Sequence, residues 1–120
     1  MRLRAVRGAT TVDEDAKEEI LSATAELIEE MISRNDLARD DLVSIVFTAT
    51  ADLRAVFPAE AARGLGISDV PLLCARELDV EGAVPRCIRV LMHAYTERDL
   101  HAVRHVYLGH ARNLRSDLAD

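Results

Sequence analysis

The stretch LLCARELDVEGAVPRCIRV, Leu72 to Val90, holds two apolar runs on either side of a polar turn and places charge inside them. Cys74 and Glu77 close the first run. Arg89 interrupts the second, Cys87-Ile88-Arg89-Val90-Leu91-Met92, which otherwise reads as a buried strand. A guanidinium buried without an anion or acceptor costs roughly several kcal/mol, so Arg89 demands a partner. Either Glu77 answers it or an anionic ligand does, and both in one pocket is the reading around which the chain is organised. Between the runs, Asp79-Val80-Glu81-Gly82-Ala83 turns the chain and Pro85 bars a regular start before Arg86.

Working outward, Cys87 to Tyr95 is predicted as a long strand and Val70 to Cys74 as a shorter one entered through Pro71. Leu42 to Ala49, LVSIVFTA, shows little alternation and many branched residues, as a strand covered on both faces would. Arg2 to Ala9 is a strand with Leu3, Ala5 and Arg7 on one face; Gly8 allows close backbone approach. The clearest element is a helix from about Asp13 to Ser33, with Ile20, Leu21, Thr24, Leu27, Ile28, Met31 and Ile32 recurring at three- and four-residue intervals. Thr11-x-x-Glu14 matches a capping box at its start, and Asn35-Asp36 ends it. Pro58 opens a short helix that Gly64 or Gly66 closes. Val103 to Leu108 is a last short strand, and Gly109 onward is a mobile tail with room for one helical turn. Strand, helix, strand, short helix and three strands make an α+β fold with a mixed sheet.

With 120 residues, 49% of them apolar, there is room for a single domain, 1–120, and one core. No Trp, two Tyr and two Phe mean that Val, Leu, Ile and Ala fill it. A net charge of −6 argues against nonspecific nucleic-acid binding. No apolar run has the length of a membrane span and Met1-Arg2-Leu3-Arg4 lacks a signal stretch, so the chain is expected in the cytoplasm, away from membranes. Cys74 and Cys87 are too few for a disulfide framework and too far apart for a zinc motif, and are expected reduced. No metal cluster, phosphate loop or other cofactor motif is present in the sequence.

Six blocks carry a resemblance: Arg7-Gly8-Ala9-Thr10-Thr11; Ala55-Val56-Phe57-Pro58-Ala59; Cys74 with Glu77 and Asp79-Val80; Cys87-Ile88-Arg89-Val90; Arg104-His105-Val106-Tyr107-Leu108; and Leu114-Arg115-x-Asp117-Leu118. In this order and spacing the chain resembles, from end to end, the monofunctional chorismate mutases of the Bacillus type. The resemblance implies a homotrimer of pseudo-barrel shape with active sites between neighbouring subunits. It also implies the rearrangement of chorismate to prephenate. That is a pericyclic shift within one molecule, which needs a held conformer and stabilised charge rather than a nucleophile or a cofactor.

By the same resemblance, Arg89 is directed at the ether oxygen and Arg7 grips a substrate carboxylate. Glu77 and Cys74 sit near the ring hydroxyl and the positive charge growing on the ring. Tyr107 contacts a carboxylate; Phe57, Ala59, Leu72 and Leu73 form an apolar wall; Arg115 closes over the bound anion. Glu60 stands where the family often has a lysine, and Arg63, a helical turn on, is the candidate for positive potential at the mouth. Leu73 replaces a residue that is commonly polar. The histidines His93, His101, His105 and His110 are read as structural or exposed, and Cys87 as a small buried hydrophobe. A plain buried ion pair would account for Arg89 and Glu77, but would leave Arg7, Tyr107 and Arg115 unconnected. Two other classes stay in view: a trimeric deaminase of reactive imines and a noncatalytic carboxylate sensor.

Overall fold

The long helix, α1 (Lys17–Arg34), buries Ile20, Thr24, Leu27, Ile28 and Met31, the stripe that its spacing dictates. In the computed structural model, which describes residues 1–113, this stripe packs on a five-stranded sheet. The strands are β1 (Arg2–Thr11), β2 (Leu42–Ala49), β3 (Leu72–Arg76), β4 (Cys87–Thr96) and β5 (Val106–Tyr107), in the order β3-β2-β4-β1-β5. Central β4 is antiparallel to β1 and β2; β3 lies parallel to β2, and β5 parallel to β1. With the short α2 (Glu60–Gly64), this is the expected α+β fold with a mixed sheet.

One face of the sheet makes the core. Val6, Ile45, Phe47, Val90 and Met92 are buried there with Leu27, Ile28 and Met31 of α1. Gly8 lets Met31 pack close: a Cβ built on it would lie 2.4 Å from Met31 Sδ, so a larger residue would have to displace the Met31 side chain. Asn35, itself buried, fastens the far end. Its amide donates to the carbonyls of Met31 (2.8 Å) and Arg104 (2.9 Å), and its oxygen accepts the Arg104 N–H at 2.8 Å.

Local boundaries differ from expectation where tertiary pairing competes with a local motif. Thr10 and Thr11 continue β1, paired with Ile88 and Cys87, so the capping box does not form and α1 starts at Lys17 without a side-chain cap. The Thr11 hydroxyl accepts the His110 N–H at 3.0 Å instead. β2 is covered by α1 on one face only; on the other, Ser44, Val46 and Thr48 are half-buried. β5 keeps two residues of the expected strand. Gly109–Asn113 forms a 3-10 turn, the helical turn expected after Gly109, and its Ala111 is fully buried.

Candidate active site

Alternation along the strands decides what reaches the uncovered face of the sheet. In β4, Ile88, Val90, Met92 and Ala94 point to the core, which leaves Arg89, Leu91, His93 and Tyr95 on the other side. Arg89 is therefore not sealed in a buried strand: its side chain is 45% exposed. Pairing puts Tyr107, Ala9, Arg89, Thr48 and Ala75 in one row across all five strands. The next row holds Arg7, Leu91, Val46 and Leu73, so Arg7 and Arg89 are diagonal neighbours on one face of one chain.

The partner that Arg89 demanded is Glu77. Its Oε1 lies 3.4 Å from Arg89 Nε, and its side chain is 19% exposed. Glu77 comes directly after β3, where its N–H donates to the Ala49 carbonyl at 3.0 Å, and its Oε2 accepts from the Thr48 hydroxyl. Cys87 is buried beside the pair. Burial pushes its thiol up, with the Arg89 guanidinium pulling the other way, which keeps the sulfur protonated and a packing atom rather than a nucleophile.

At the β1 end of the row, Tyr107 is buried against Ala9 and Ala111, and its hydroxyl has no hydrogen-bond partner among the described residues. A buried phenol without a partner calls for an explanation, and a hydrogen-bonding group that enters the site is one. Small Ala9 separates it from Arg89. The Arg7 N–H donates to His105 Nδ1 at 2.9 Å, so His105 secures the backbone that carries Arg7.

The remaining expected residues fall elsewhere. Phe57 is 71% exposed and, with Cys74, lines a cleft of about 640 Å³ beside the β3 edge that is also walled by Ala49, Leu53, Val56, and Glu60. Ala59 is buried in the core and Leu72 packs against it, while Leu73 is exposed on the uncovered face. Arg63 is exposed on α2 and does not line the cleft. Arg115 lies outside the described residues. One chain therefore unites Arg7, Glu77, Arg89, Tyr107 and Leu73 on one sheet face, and sets Phe57 and Cys74 apart at the sheet edge.

The loop before Phe57 is tied down by two carboxylates that sequence reasoning missed. Asp15 Oδ1 accepts the N–H groups of Arg54 (2.9 Å) and Ala55 (3.0 Å). Asp52 accepts the Thr50 hydroxyl and, at 3.0 Å, the N–H of Arg86, a residue held at φ 47° just before β4. Burial acts to raise the Asp52 carboxyl, but these donors and the Arg86 guanidinium outweigh it and leave it below its ordinary value. Thr48 was also missed. Ser44, Val46 and Thr48 share a parity opposite to Ile45 and Phe47, and that alternation was the signal available.

The chemistry of this arrangement is electrostatic. A planar fork, a second guanidinium, a carboxylate and a spare phenol can hold and polarise an anionic organic molecule. The family model for chorismate mutase type I matches residues 3–118. Chorismate mutase AroH of Bacillus subtilis (strain 168) is 46% identical over 120 residues, spanning 99% of this chain and 94% of that protein. Chorismate mutase AroH of Thermus thermophilus is 49% identical over 117 residues, 97% and 96% of the two chains. The solved chorismate mutase from Clostridium thermocellum superposes with a TM-score of 0.90 at 46% identity, covering 92% of this chain and 98% of that one.

Proposed function

Because the chain belongs to the chorismate mutase type I family, we propose that its uncovered sheet face is the electrostatic half of a chorismate-isomerising site. The protein is a chorismate mutase, an isomerase. The observation that carries the assignment of residues is the Glu77–Arg89 contact on a face that also presents Arg7. As the ether bond of chorismate lengthens, negative charge grows on its oxygen, and on this reading the Arg89 fork meets it. Glu77 balances the positive charge left on the ring and receives the ring hydroxyl. Arg7 and the Tyr107 hydroxyl take the carboxylates, and holding both ends favours the compact conformer that reacts. No covalent intermediate forms, and the chain needs no cofactor for this step.

The other half of the site, on this reading, comes from a neighbouring copy. Phe57 and Cys74 supply an apolar wall, with Arg63 at the mouth and Arg115 closing over the anion, while Ala59 and Leu72 support that wall from the core. The reason is spatial: within one chain the Phe57 cleft reaches the Arg89 row at Ala75, on the β3 edge, and at no other member of that row, while Leu3, Leu73, Leu91 and Tyr95 leave the charged face rimmed by exposed apolar side chains. A homotrimer that covers those side chains joins the two halves. The chain acts as a single domain, 1–120, in the cytoplasm, where its free thiols Cys74 and Cys87 stay reduced.

Purified protein is expected to consume chorismate with stoichiometric appearance of prephenate, at a solution mass of three chains. Ammonia release from an enamine in place of prephenate, or saturable binding without turnover, would overturn this reading in favour of a deaminase or a sensor.

A further inference from the structure

Glu77 approaches Arg89 most closely through Oε1, 3.4 Å from Nε, the inner nitrogen of the fork, while Oε2 accepts from the Thr48 hydroxyl. We propose that Thr48 is a positioning residue for the isomerisation, holding Glu77 in that attitude so that the two outer nitrogens of Arg89 stay available to the substrate. The proposal rests on the reading that Arg89 and Glu77 touch chorismate.

A carboxylate beside a guanidinium tends toward the bidentate arrangement, two parallel N–H donations into its two oxygens. A fork closed in that way on Glu77 would present fewer donors to an ether oxygen. Here the second oxygen is engaged by a hydroxyl, in a charge-assisted hydrogen bond from the neighbouring strand. The geometry is fixed by the sheet: Thr48 is paired with Arg89 on one side and Ala75 on the other, and the Glu77 N–H is anchored on Ala49, the residue after Thr48. Thr48 thus touches Glu77 from the same row that carries Arg89.

What marks Thr48 out is its hydroxyl and not its shape. Thr and Val are both β-branched and suit a half-buried strand position, so Val at 48 keeps the shape and loses the donor. Ser keeps the donor and loses the branch. A packing role and a positioning role therefore predict opposite rank orders for the two variants.

The experiment measures kcat and KM for chorismate on the full chain as Thr48→Val and Thr48→Ser, with mass and melting temperature recorded for each. Thr48→Val is expected to lower kcat about ten- to a hundredfold, the effect of a small misplacement of a reacting group. Thr48→Ser is expected to stay within about threefold of the parent, and in a Glu77→Ala background Thr48→Val should cost nothing further. Should Thr48→Val not fold, Thr48→Ala read against Thr48→Ser makes the same comparison. An active parent indifferent to loss of the hydroxyl would overturn this proposal alone, as would Thr48→Ser falling as low as Thr48→Val, or an undiminished loss without Glu77. A parent with no turnover would overturn the functional reading as well.

Discussion

The two faces of the sheet are drawn from the same strands, alternate residues going to each, yet their contents are opposed. Beneath α1 lie Val6, Ile45, Phe47, Val90 and Met92, with no charge among them. On the reverse lie Arg7, Arg89, Thr48 and, folded back from the end of β3, Glu77, bordered by Leu3, Leu73, Leu91 and Tyr95. The covered face gains its free energy from removing apolar area from water, and does so within one chain. The uncovered face keeps polar groups that a self-sufficient core would exclude, and apolar ones that a solvated surface would not favour. The difference separates what makes this chain fold from what is left free for catalysis.

The largest expected effect is on the covered side. Phe47→Ala removes a fully buried ring and should destabilise the chain by about 4 kcal/mol, measured by denaturant unfolding. A loss below about 1 kcal/mol would mean that Phe47 is not the packing centre described. Leu91→Glu probes the reverse side, where Leu91 is 38% exposed. It should change the chain's own unfolding free energy by less than about 0.5 kcal/mol, as at an open surface, while the mass in solution drops to one chain and turnover disappears. An unchanged mass and rate would mean that no copy covers this face.

The smallest effect concerns the join between loop and sheet. The folded protein holds the Asp52 carboxyl below its ordinary value of 3.8, so the stability it contributes is in place above that pH. It is lost as the pH falls through the lower folded value. Asp52→Asn should therefore melt slightly below the parent at pH 6, and the gap should close at more acidic pH than 4. A gap independent of pH would assign the effect to packing rather than charge.

How much of this was legible in the sequence follows from which interactions are local. α1 announces itself through Ile20, Thr24, Leu27, Ile28 and Met31, because a helix needs only its own period to be recognised. The pairing of Arg89 with Glu77 was legible too, although not for the reason the sequence suggests: the Arg89 side chain is 45% exposed, so burial does not compel the contact. The exposure of β4 was misread because Leu91 and Tyr95, apolar residues on the uncovered face, mask the alternation. Thr11 was read as a cap when its strand pairing with Cys87 wins. Sheet order, and the approach of the Phe57 cleft to the Arg89 row at Ala75, depend on contacts between distant segments that no local pattern encodes. Thr48 was overlooked because a single hydroxyl in an apolar strand carries little signal until its partner is known.

The most direct measurement is chorismate turnover by Arg89→Lys beside the parent, with solution mass and melting temperature held as controls. Lysine keeps the charge and loses the planar fork. The account predicts unchanged assembly and a fall in kcat on the order of a hundredfold, about 3 kcal/mol for one aimed donor group. A folded, assembled Arg89→Lys enzyme working within a few-fold of the parent would contradict it.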